Sequence, residues 1–309
     1  MLNWKDNKVV RKINQNLGTI IFAILVLVFV FIIAKAFNLI ENVTLRNNNN
    51  KVNSQQEQVS YLTDAVIDNK TAASNKNILN EFIEACNNKD VNTAYNLLSD
   101  DCKQEFYKTE DIFSKYYIEK NFSIPRTYQI QAVATEDKTA TYLLSLEEDI
   151  MVSGSVNDNN TVKDYITLTS DNKINLNGFM VKKSMNKSSN KDNITITVKE
   201  KRVYMDYEEY TFTVKNETSN TIKMDSKESL ISTYLLNSQD VKYSAYIDEM
   251  FDQDLIVNPN STKEITIKFN KMYNTDYAIK KIVFSDIVQD YEGYEKRVNF
   301  NKVKVEIEL

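Results

Sequence analysis

The residues that could do chemistry in this chain are mostly carboxylates and phenols, because histidine is missing and cysteine is scarce. With no histidine, neither Ser-His-Asp nor Cys-His catalysis nor a His-coordinated zinc can be built. Two cysteines, Cys86 and Cys102, are too few for a cysteine zinc site or a disulfide framework. An enzyme built on this chain would have to work through Asp, Glu, Lys or Tyr. The run Glu147-Glu148-Asp149 offers a general base, yet alternation along a strand turns at least one of the three to water, and a solvated strand end is the expected reading. Asp248, Glu249, Asp252 and Asp254 offer oxygens to a hard cation, but they lack the spacing and the glycine of a calcium loop and read as a solvated segment. The expectation is no catalytic site, no metal and no cofactor. Tyr291 and Tyr294, in DYEGYEKR at an expected hairpin tip, are candidate contact residues.

The elements that position these residues follow from hydropathy. Residues 17 to 34, LGTIIFAILVLVFVFIIA, carry no charge, and as a helix they reach about 27 Å, close to the thickness of a hydrocarbon core. Lys5, Lys8, Arg11 and Lys12 precede them against Asp6 alone, which by the positive-inside rule puts the N-terminus in the cytoplasm. The expectation is a single-pass cell-membrane protein: a cytoplasmic tail at 1–16, a transmembrane helix at 17–40 and an extracytoplasmic remainder. Ala34-Lys35-Ala36 resembles a signal-peptide cleavage site, but the apolar run is longer than such peptides use. Beyond the span, 33 basic residues face 42 acidic ones, which argues against a nucleic-acid partner. Only 4 Gly and 2 Pro are present against 38 Asn, so turns must be made by Asn, Asp and Ser; the composition looks like that of an AT-rich bacterial genome.

Residues 41–75 are polar and read as a stalk, helical between about Val52 and Asp68. Ile78, Leu79, Phe82, Ile83 and Cys86 then mark an amphipathic helix, Asp90 caps a second and Thr109 a third. After Pro125 the period falls to two, giving strands at Thr127 to Thr135, Thr139 to Ile150, Thr161 to Thr169 and Lys173 to Lys183. Cys86 and Cys102 fall near the ends of adjacent helices. A disulfide and a pair of buried thiols are both open there. The connector 186–192, NKSSNKD, separates this part from eight further strand-like segments between Ile194 and Leu309, at the spacing of a β-sandwich.

The helical phrase NILNEFIEACNNKDVNTAYNLLSDDCKQEF, followed by strands and YITLTSDNKINLNGFMV, resembles the nuclear transport factor 2-like superfamily over residues 76–185. The resemblance implies a curved sheet wrapped around helices into a cone that Tyr95, Tyr142 and Tyr165 could line, although aromatic residues at these spacings more often pack a core. YTFTVKNETSNTIKMD, LIVNPNSTKEITIKF and IKKIVFSDIV are similar to immunoglobulin-like modules of bacterial envelope proteins, over residues 193–309. The expected fold class is therefore a single transmembrane helix plus an α+β cone-shaped domain plus an all-β sandwich. The order also resembles membrane-anchored Gram-positive envelope proteins, including the teicoplanin-resistance-associated family, without that family's zinc ribbon. It implies a binding or adaptor protein recognising a protein or envelope polymer, with homo-oligomers possible. The competing implications are a scaffold of a conjugation or type IV secretion channel and a small-molecule enzyme using the cone, since fold does not choose function.

Overall fold

The computed structural model describes residues 58–59, 66–136, 139–148, 161–271, 278–298 and 300–309, all within one compact unit, Gln56–Leu309. The expected span at 17–40 and tail at 1–16 lie outside the described residues. Among the described residues no helix is long and apolar enough to cross a membrane, and antiparallel strand outweighs helix. The longest described helix, α1 (Asn69–Asn87), carries Lys70, Lys76, Glu81 and Glu84 on its polar side and buries only the opposite stripe. The fold class with a transmembrane helix as its first element, and the single-pass membrane localisation drawn from it, are corrected accordingly: the described residues form a predominantly antiparallel β architecture.

The stalk is also different where it is described. Gln58–Val59 (β1) and Val66–Ile67 (β2) pair antiparallel rather than continuing a helix, and α1 starts directly after them. Asp68 caps α1, its carboxylate accepting from the backbone N–H groups of Lys70 and Thr71 at 3.0 Å each. Asp90 caps α2 (Val91–Leu97) and Thr109 caps α4 (Glu110–Phe113) in the same way. An additional short helix, α3 (Asp100–Glu105), is capped by Ser99, whose Oγ accepts from the Cys102 N–H at 3.0 Å. A π-turn (Ser114–Ile118) and α5 (Glu119–Asn121) complete the helical part. These helices lie against a sheet of order β3-β4-β5-β6, formed by Arg126–Glu136, Thr139–Glu148, Val162–Leu168 and Ile174–Asn175. Leu79, Phe82, Phe113, Tyr117 and Phe122 from the helices meet Tyr142, Leu144 and Ile166 from the sheet in one apolar cluster.

The segment expected as a connector is instead sheet. Strand β7 (Phe179–Lys191) runs through residues 186–191 and turns at Asp192 and Asn193 into β8 (Ile194–Tyr204). Both turn residues have positive φ, 51° and 60°, the two-residue hairpin geometry that Asp and Asn tolerate without glycine. With β9 (Tyr207–Asn216) and β14 (Ser261–Asn270), these strands form a sheet of order β14-β9-β8-β7. A second sheet contains β10 (Ile222–Lys223), β11 (Thr233–Asn237), β12 (Lys242–Ser244), β13 (Ile256–Val257), β15 (Ile279–Val288) and β16 (Lys302–Glu308). Alternate residues of both sheets, such as Ile194, Ile196, Val198, Phe212 and Ile267 from one and Ile282, Phe284, Val305 and Ile307 from the other, enclose a single core.

The two parts are joined by more than chain continuity. Gly178 takes φ +71° so that its N–H can donate to Tyr165 O at 3.1 Å while its C=O accepts from Met205 N at 2.9 Å. Val133, Ala134, Met180, Val203 and Met205 form a third buried cluster at the joint. Arg202 on β8 reaches Glu105 on α3 at 3.3 Å, and the Tyr204 hydroxyl donates to the same carboxylate at 3.4 Å.

Candidate contact surface

Three irregular segments converge at one end of the second part: the loop 224–232, the segment 247–255 containing helix α6 (Asp252–Leu255), and helix α7 (Tyr291–Glu295). The loop is organised by Asp225, which is fully buried. Its carboxylate accepts from Lys227 N at 2.8 Å, Ser232 Oγ at 2.6 Å and Thr233 Oγ1 at 2.6 Å. These bonds satisfy a charge that would otherwise be costly to bury, and they close the loop over the residues between Asp225 and Ser232. Lys227 adopts φ +61° to make the turn.

Ion pairs tie the segments together. Lys223, 3% exposed, donates from Nζ to Asp252 Oδ2 at 2.9 Å, and Lys227 Nζ lies 3.0 Å from Asp252 Oδ1 and 2.6 Å from Met250 O. The two lysines hold Asp252 below the usual carboxylate range, chiefly through these hydrogen bonds. On the other side, Lys302 Nζ donates to Ser226 Oγ at 3.0 Å and Glu228 Oε2 at 2.6 Å, with Asp286 Oδ2 at 3.4 Å. Hydrogen bonds from Lys302 and then Tyr294 lower Glu228.

Tyr291 and Tyr294 stand on α7, in the connection between the antiparallel-paired strands β15 and β16, and both are half-buried. The Tyr294 hydroxyl lies 3.1 Å from both Ser226 O and Glu228 Oε1, placed to donate to either. Its ring packs edge-on against Phe300 at 5.0 Å. Tyr291 stacks on Tyr294 with centroids 6.5 Å apart, and Lys223 Nζ sits 5.8 Å from its centroid. Asp290 caps α7 through Gly293 N at 3.0 Å. The two tyrosines therefore brace the platform from beneath. The side chains presented outward are Leu230, 97% exposed, Phe251, 80% exposed, Val298, 56% exposed, and Ile231, 47% exposed.

The other expected site residues are scattered. Asp252 is committed to lysines, while Asp248 and Glu249 are exposed on a 3₁₀ turn (Ile247–Glu249); among the described residues no group of three or more acidic or cysteine ligands converges as a metal site. Glu147 accepts from Gln129 at 3.2 Å, Glu148 lies 3.9 Å from Arg126, and Asp149 is outside the described residues. Cys86 and Cys102 are both free and fully buried, and burial raises both thiols, that of Cys102 to about 12, which disfavours the thiolate. Tyr142 is buried, accepting from Asn75 Nδ2 at 2.9 Å, and the Tyr95 hydroxyl donates to Tyr107 O at 2.9 Å. Tyr165 belongs to the opposite face of the sheet, packed at the joint rather than lining the interior with the other two.

Strand parity instead puts Asp164 on the inner face, across from Leu144. Tyr117 donates to Asp164 Oδ2 at 3.1 Å, and burial lifts this carboxyl to about 6 against the lowering effect of that hydrogen bond. Counting by two back from buried Ile166 would have found it. Around this pair aromatic rings pack together, with Phe113 and Tyr117 stacked at 5.5 Å between centroids and Tyr107 edge-on to Phe113 at 5.2 Å.

Compared with known proteins, the chain matches no family model, no curated protein and no solved structure.

Proposed function

We propose that this protein is a non-catalytic binding or adaptor protein that recognises a protein partner through the convergent surface formed by residues 224–232, 247–255 and 291–298. One observation carries the reading: Leu230 and Phe251, large apolar side chains, are held out in water by loops whose backbones are fixed by a buried carboxylate and a buried lysine. Scattered single exposed apolar residues need no explanation, but apolar anchors on two loops tied to each other through Asp252 form a preorganised platform. A protein fits this platform better than a polysaccharide does, since burying aliphatic and aromatic anchors drives protein association. The aromatic packing around Tyr117 and the raised, buried thiols support a role without chemistry.

The test is a double substitution, Leu230→Asp with Phe251→Asp. Both positions are exposed, so the melting midpoint should stay where it is, while affinity for the partner isolated with the wild-type chain should fall about 10-fold or more. Undiminished binding by the variant would refute the assignment.

A further inference from the structure

The apolar anchors of the contact surface stand in an acidic setting. Phe251 is 80% exposed, whereas Ile247, Met250 and Leu255 of the same segment pack on the core of the second part. The backbone around the ring is pinned: Met224 N donates to Leu255 O at 2.9 Å, Lys227 Nζ to Met250 O at 2.6 Å, and Lys263 Nζ to Gln253 O at 2.6 Å and Ile256 O at 3.1 Å. A ring held this way can receive a partner without first being ordered.

Four carboxylates, Asp248, Glu249, Asp252 and Asp254, lie within three residues of Phe251, and residues 247–255 contain no basic residue. Lys223 and Lys227 pair with Asp252, and Lys302 pairs with Glu228 and Asp286. Among the described residues no ion pair reaches Asp248, Glu249 or Asp254, and all three are exposed. The excess survives a wider count. Residues 224–232, 247–255 and 291–298 carry eight carboxylates and three cations, and the lysines that reach in from outside, Lys223, Lys263 and Lys302, raise the cations only to six. Lys223 is buried and Lys263 is spent on carbonyl oxygens, so the surface beside Phe251 is negative. The α7 side is balanced, with Glu292 and Glu295 against Lys296 and Arg297.

We propose that the partner recognised through this surface, the reading on which this rests, is a basic amphipathic protein segment: its apolar side chains cover Leu230 and Phe251 while its lysines or arginines lie over Asp248, Glu249 and Asp254. Charge complementarity selects this occupant. The aliphatic stem of a lysine or arginine covers an aromatic ring while its head reaches neighbouring carboxylates, so one residue type answers both features of the segment. At longer range the chain's net charge of -5 steers basic partners in and acidic ones away. The imbalance also sets a direction, with the partner's cations on the side of 247–255 and not on the side of α7.

Panning a random-peptide phage library on the full-length chain tests this, with enriched peptides re-measured against Leu230→Ser/Phe251→Ser and against Asp248→Asn/Glu249→Gln/Asp254→Asn. All of these positions are exposed, and an unchanged melting midpoint shows that each variant is folded. Enriched peptides should combine lysine or arginine with large apolar residues, bind either variant about 10-fold more weakly than the wild type, and lose affinity to the wild type as salt is raised. Enriched peptides without net positive charge, lost by the serine variant and kept by the amide variant, would overturn the basic partner and leave the contact surface standing. Peptides that the serine variant keeps would overturn the contact surface and the basic partner together, as would the absence of any enrichment on the wild type.

Discussion

Lys223 Nζ and Asp252 Oδ2 lie 2.9 Å apart, joining a lysine that is 3% exposed on β10 to a carboxylate at the start of α6, one residue after the outward-facing Phe251. The pair converts a surface loop into part of the sheet. Removing only the acid strands a buried ammonium. Asp252→Ala should therefore lower stability by about 1–3 kcal/mol, less than for a wholly buried pair because Asp252 itself is half in water. Lys223→Met, which removes the buried charge as well, should cost less than Asp252→Ala. Urea unfolding of the two variants measures the ordering, and the reverse ordering would show that the pair does not anchor the loop.

Asp225 is the second anchor. Asp225→Ala leaves Ser232 Oγ, Thr233 Oγ1 and the Lys227 N–H without their acceptor in a buried site, at a cost of about 2–4 kcal/mol. Amide protection should fall across 225–233 before it falls elsewhere. Loss spread evenly over the sheet would contradict the local role.

Gly293 sits where α7 is closed against Val298. A Cβ there would lie 2.6 Å from Asp290 Oδ2 and 2.8 Å from Val298 O, the second a backbone atom that cannot swing aside. Gly293→Ala should cost about 1–2 kcal/mol and loosen the Tyr291–Tyr294 brace. Thermal denaturation together with tyrosine fluorescence reads both effects.

Stability should also depend on the Asp164 carboxyl. Its folded value, about 6, lies above the ordinary 3.8, so the folded state binds the proton more tightly than the unfolded chain. This contribution is fully present below about pH 3.8 and is lost as pH rises through 6. Asp164→Asn, which is always neutral, removes the dependence. Relative to wild type it should gain about 1–3 kcal/mol between about pH 4 and pH 7.5, measured by urea unfolding at both values. A variant whose difference from wild type is the same at both pH values would show that Asp164 titrates normally.

Much of the fold was readable because burial repeats at the period of the backbone. Ile78, Leu79, Phe82, Ile83 and Cys86 mark α1, the caps at Asp90 and Thr109 stand where their side chains imply, and Ile194, Ile196 and Val198 alternate as a half-buried strand must. Polarity misled at 186–192, because a strand edge and hairpin tip facing water looks like a linker in one dimension. The site was less legible. Ser229 to Leu236 reads as one of the eight strand-like segments, yet the strand begins at Thr233. What displaces it is Asp225, bonded to Ser232 across the loop, pulling the intervening chain out of the sheet and its apolar side chains into solvent. Tyr291 and Tyr294 were visible as aromatic residues, but the bracing role of Tyr294 depends on Ser226 and Glu228, far away in sequence. The apolar run at 17–34 lies outside the described residues, among which no helix is long and apolar enough to cross a membrane.

Site-specific photocrosslinking tests the central claim most directly. A benzophenone side chain placed at Leu230 or at Phe251 in the full-length chain should capture the same partner from both positions, while the same group at Lys108, exposed on the helical part, should not. Capture from Lys108 with none from Leu230 and Phe251 would contradict recognition through this surface.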